Sequence, residues 1–85
     1  MTLKDLILLF DEQAVSSGKI AFTFHEPKGG KWNFWSSPDS PCTREQLADH
    51  IMSYPSLAGL EIEGFEETSL EPWDEDGLRV RITFP

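Results

Sequence analysis

The chain has 85 residues, 39% of them hydrophobic, with 7 basic and 15 acidic side chains and a formal net charge of −8. That length holds one domain, residues 1–85, with one core, and the composition excludes wholesale disorder. The longest apolar run, Leu6 to Phe10, falls far short of the roughly 20 residues that cross a bilayer. Excess negative charge argues against nucleic acid or an anionic membrane as a direct ligand, because phosphates would be repelled. The N-terminal stretch lacks the pattern of a secretory signal, and a single cysteine makes no internal disulfide, so a cytoplasmic chain is expected.

The first segment has the periodicity of a helix. Thr2 is its expected cap, with Asp5 near the positive end of the helix dipole, and Leu3, Leu6, Ile7, Phe10 and Ala14 form one apolar face. Leu8, Leu9 and Val15 widen that face, which predicts a largely buried helix as far as Ser16-Ser17-Gly18, where Gly18 suits a left-handed end. Ile20 to His25 then alternates as a strand with Ile20, Phe22 and Phe24 on one face. A turn at Glu26 to Lys31 leads into Trp32-Asn33-Phe34-Trp35. Core placement of Trp32 and Phe34 requires Phe24 opposite Trp32 and Phe22 opposite Phe34, which leaves Trp35 on the other face beside Ala21.

Ser36 to Cys42 is proline- and serine-rich and is expected as a loop. Thr43 with Gln46 has the spacing of a capping box and opens a second helix whose stripe is Leu47, Ala48, Ile51 and Met52. Pro55 limits that helix. Leu60 to Phe65 is the expected third strand and Leu78 to Phe84 the fourth. Pairing Glu63 with Arg79, Glu61 with Arg81 and Ile62 with Val80 satisfies charge and hydropathy together. The result is an α+β fold of two layers in α-β-β-α-β-β order: a four-stranded antiparallel sheet with both helices on one face. Its open face would carry Thr23, His25, Trp35, Glu61, Glu63, Arg79 and Arg81. Landmarks recur at a constant spacing (Thr2 with Thr43, Leu6 with Leu47, Gly18 with Gly59, Trp32 with Trp73), a sparse hint of duplication.

Function is less legible, because no catalytic or metal motif stands out. The most unusual segment runs from Glu66 to Asp76. It holds six acids (Glu66, Glu67, Glu71, Asp74, Glu75 and Asp76), no base, and Trp73 with Leu70 in its middle. At eleven residues it is long for a hairpin connection. Two readings follow: a recognition loop in which Trp73 anchors and the acids steer a basic partner, or a solvated loop whose indole tucks back onto the sheet. Asp74-Glu75-Asp76-Gly77 lacks the spacing of a calcium loop. Trp35 is either an open anchor, which would permit a homodimer through face-to-face sheet packing, or is covered by the Ser36–Cys42 loop.

Cys42 sits before a helix start beside Arg44, which favours a thiolate, but neither His25 nor His50 is placed beside it as a base. No cofactor or zinc spacing is present. Lys28-Gly29-Gly30-Lys31 lacks the length and following helix of a phosphate-binding loop, so a solvated turn is expected. The expectation is a small acidic, non-enzymatic interaction domain that binds a basic or nucleic-acid-binding protein, as an inhibitor that mimics nucleic acid in its sharpest form. The alternatives are a small thiol- or carboxylate-based enzyme, or an accessory subunit of a larger complex.

Overall fold

The described residues form four helical segments and four strands. The computed structural model describes residues 1–27, 29–70 and 74–85, with Asp74 and Glu75 as backbone only. The order is α1 (Leu3–Ile7), α2 (Glu12–Ser16), β1 (Ile20–His25), β2 (Lys31–Phe34), α3 (Arg44–Met52), α4 (Pro55–Ala58), β3 (Gly64–Leu70) and β4 (Asp74–Thr83).

Both anticipated caps form. Thr2 accepts from the Asp5 backbone N–H while the Asp5 carboxylate accepts from Thr2, and Thr43 and Gln46 make the same reciprocal pair at α3. The long first helix does not form as one piece. It stops after Ile7, and Asp11 starts α2 by accepting from the Ala14 N–H. The physical reason lies on α3: Arg44 Nη1 donates to the carbonyls of Leu8 and Phe10, at 3.1 and 2.9 Å. An external guanidinium thus satisfies carbonyls that a continuous helix would have bonded internally. The break leaves Leu9 exposed rather than in the widened apolar face expected of it.

Gly18 ends α2 in the left-handed region, at φ +78°, as its position predicts. A second demand acts there as well, since an added Cβ would lie 2.5 Å from the Ser36 carbonyl oxygen. Ser36 is itself buried, donating through Oγ to the Ser16 carbonyl and accepting from the Cys42 N–H. The loop after β2 is therefore tied to the end of α2.

The sheet order is β2-β1-β4-β3. The first hairpin has the expected register, with Phe22 opposite Phe34 and Phe24 opposite Trp32. The centre of the sheet corrects the all-antiparallel expectation: β1 and β4 run parallel, pairing Ile20 with Leu78 through Phe24 with Ile82. Burial of Ile20 through Phe24 without a break marks β1 as an interior strand. One sheet face, with Ile20, Phe22, Phe24, Phe34, Val80 and Ile82, shares a single core with Leu3, Leu6, Ile7, Val15, Leu47, Ala48, Ile51 and Leu57 from the helices.

The second hairpin is also corrected. Glu66 pairs with Arg81, Glu67 with Val80 and Thr68 with Arg79, instead of Glu61 and Glu63 meeting the arginines. Leu60 and Ile62 pack against the core outside β3, and the Ile62 N–H bonds to the Met1 carbonyl. This delays the strand to Gly64. The shift is odd-numbered, so it exchanges the faces of every β3 side chain. Phe65 turns toward the helices, its ring 6.1 Å from Phe10, and Glu66 and Thr68 join the open face. As for a duplication, Thr2 and Thr43 are matching caps and Leu6 and Leu47 matching core residues, but Gly59 lies at φ −100° where Gly18 is left-handed.

Candidate functional site

The acidic segment is strand rather than loop over most of its length. Glu66 and Glu67 belong to β3 and Asp74, Glu75 and Asp76 to β4, with the hairpin register shifting between Ser69 and Leu70. Glu71 and Trp73 lie outside the described residues, as do the side chains of Asp74 and Glu75. Asp76 is exposed. An eleven-residue connection becomes a much shorter one because two strands extend to meet each other. Their backbone groups gain ladder partners that a long loop would leave to water.

The strand carrying Glu66 and Glu67 is the outermost of the sheet. Both glutamates are exposed, and alternation sends them to opposite faces. Glu66 Oε1 lies 3.7 Å from Arg81 Nη1, a solvent-exposed pair of small energetic weight. Among the described residues, Glu63 and Glu67 make no ion pair. Acids elsewhere do: Asp49 is 2.9 Å from Lys4 Nζ, and Glu12 and Glu45 converge on Arg44. Hydrogen bonding from Arg44 holds the Glu45 carboxyl below the usual carboxylate range, and the Thr2 backbone N–H does the same for Asp5.

Trp35 is 50% exposed, so the Ser36–Cys42 loop does not cover it. It lines an open groove of about 560 Å³ between β2 and α3, with Trp32, Phe34, His50 and Tyr54. The floor of that groove is an aromatic cluster. Trp32 stacks on Phe34 at 5.6 Å and 9°, and Tyr54 meets Trp32 edge-on at 4.9 Å. Trp32 Nε1 donates to Glu26 Oε2, which fixes the indole's outer edge. Cys42 and His50 line the same groove, a proximity that sequence spacing did not suggest, but no hydrogen bond joins the thiol to the imidazole. Trp35 therefore lies beside β2 at one edge of the sheet, and Glu66 and Glu67 on β3 at the other.

The open sheet face carries the expected Thr23, His25, Arg79 and Arg81, but not Trp35, Glu61 or Glu63, and the β3 register decides which acid joins them. The open sheet face bears Thr23 and His25 from β1, Lys31 from β2, Glu66 and Thr68 from β3, and Arg79, Arg81 and Thr83 from β4, around a concavity of about 590 Å³. Removal of Glu61 and Glu63 from this face leaves Glu66 as its acid among the described side chains.

Among the described residues, no group of three His, Cys, Asp or Glu side chains is arranged to hold a metal ion. Nor is any described helix long and apolar enough to cross a membrane. Comparisons with protein-family models, curated proteins and solved structures returned no match.

Proposed function

We propose that this chain is a non-enzymatic protein-interaction domain that takes a basic, extended segment of a partner along the β3 edge. The observation that carries the reading is an outermost seven-residue strand with Glu66 and Glu67 exposed on its two faces. An outer strand offers one row of backbone donors and acceptors for strand addition, and side chains on the added strand supply specificity. Glutamates at this edge repel a second copy of the same edge and attract lysine or arginine on another chain. The acids of the β4 start extend the same negative character along the sequence. An inhibitor that imitates nucleic acid is the special case in which the basic partner is itself a nucleic-acid-binding protein.

The test is fluorescence anisotropy with a labelled peptide alternating lysine with valine or threonine, against its glutamate-substituted counterpart. The lysine peptide should bind, weaken steeply between 50 and 300 mM salt (roughly tenfold or more for several screened contacts), and lose most affinity with E66K/E67K. Binding indifferent to both salt and E66K/E67K, yet lost in Trp35→Ala, would move the interface to the β2 groove and refute the β3 edge.

A further inference from the structure

We infer that the open sheet face is a second binding site, adjoining the β3 edge at Glu66, for a small dianionic ligand of the phosphoryl class. Three features converge there. First, cations gather on one face of a chain whose net charge is −8: Lys31, Arg79 and Arg81 line the concavity with His25, against Glu66 among the described acids. Second, the donors have regular positions. Arg79 and Arg81 are two apart on β4 and so share a face, while His25 and Lys31 are cross-strand neighbours on β1 and β2. Thr23, Thr68 and Thr83 place hydroxyl side chains among them. Guanidinium forks with neutral hydroxyls are the donor set that matches tetrahedral oxyanions.

Third, size and screening select among anions. The concavity of about 590 Å³ falls within the ~300–1,000 Å³ range of small-molecule sites. A long polyanion would extend past this face into the field of the surrounding acids. A small dianion samples only charges within the Debye length of about 8 Å at physiological ionic strength. Glu66, 3.7 Å from Arg81, is the group such a ligand would displace from the guanidinium.

The experiment is a titration of the isotopically labelled full chain with inorganic pyrophosphate at constant ionic strength, followed by two-dimensional NMR. Shifts should converge on residues 23, 25, 31, 68, 81 and 83 along a single saturation curve. Arg81→Gln should weaken the affinity about tenfold, in keeping with loss of a charge-assisted hydrogen bond. Lys31→Gln, at an exposed strand-edge position where folding is not at stake, should weaken it several-fold. Lys4→Gln, on the helical layer, should leave it unchanged. Shifts scattered over all basic residues, an equal response to sulfate, or indifference to both Arg81→Gln and Lys31→Gln would overturn the site. Tighter binding of an eight-nucleotide oligothymidylate than of pyrophosphate would overturn the small-ligand assignment in favour of a strand of nucleic acid.

Discussion

Arg44→Ala removes the group that accommodates the break between α1 and α2, and its cost follows from the bonds lost. Arg44 donates through Nη1 to the Leu8 and Phe10 carbonyls and through Nε and Nη2 to Glu45. The Glu45 bonds are exposed to solvent and contribute little. The carbonyl bonds are part-buried. A hydrogen bond to a charged group contributes about 1.5–3 kcal/mol when well shielded, and solvent screening at 26% exposure reduces this to about 1 kcal/mol each. The sum is about 2 kcal/mol, which in a domain of this size lowers Tm by roughly 8–16 °C. Circular dichroism against temperature and urea measures it, with Glu45→Gln as the control that isolates the exposed pair. Arg44→Lys should recover little, because one ammonium does not reproduce a planar fork spanning two carbonyls. Full stability in Arg44→Lys, or a loss below about 0.5 kcal/mol in Arg44→Ala, would show that the two carbonyls do not depend on the guanidinium.

Three more outcomes are expected. Gly18→Ala should cost more than the ~1–2 kcal/mol of a left-handed L-residue, because its Cβ also meets the Ser36 carbonyl; urea unfolding measures this, and a loss under ~1 kcal/mol would contradict the close approach. Asp5 and Glu45 have depressed pKa values, so their stabilisation is complete above the ordinary carboxylate range and is lost as pH falls through their folded values; Asp5→Asn should flatten the acid limb of a stability–pH profile. Trp35→Ser should change stability by less than about 0.5 kcal/mol, in contrast to about 3–5 kcal/mol for Phe22→Ala in the core, both read from chemical denaturation.

Local chemistry was legible wherever neighbours in sequence decide the outcome. Thr2 with Asp5 and Thr43 with Gln46 form capping boxes because all the required groups lie within four residues. The first hairpin follows from the need to bury Phe22, Phe24, Trp32 and Phe34 together. What depends on distant partners was not legible. The break after Ile7 needs Arg44 from another helix, and the β3 register depends on Leu60 and Ile62 being held under the core by residues near Met1. A charge-matched alternative in the other register, Glu61 and Glu63 against the arginines, looked equally good locally. The parallel junction left one trace in the sequence. Ala21 and Thr23 are small and nearly as buried as their neighbours Phe22 and Phe24, as suits a strand with neighbours on both sides. Of the candidate site, the acids and Trp35 were visible as residue types, whereas the placement of Trp35 and of Glu66 and Glu67 at opposite sheet edges was not.

The parallel pairing of β1 with β4 joins residues 20–24 to residues 78–82, so that β2, α3, α4 and β3 all lie between the paired strands in sequence. During synthesis the first hairpin must therefore wait with its inner flank bare until β4 has left the ribosome. Folding is then an event of high contact order, slow beside a helical protein of equal length. The same arrangement makes a split protein feasible: fragments cut between α4 and β3 would each lack the strand that the other supplies, and should order only when mixed.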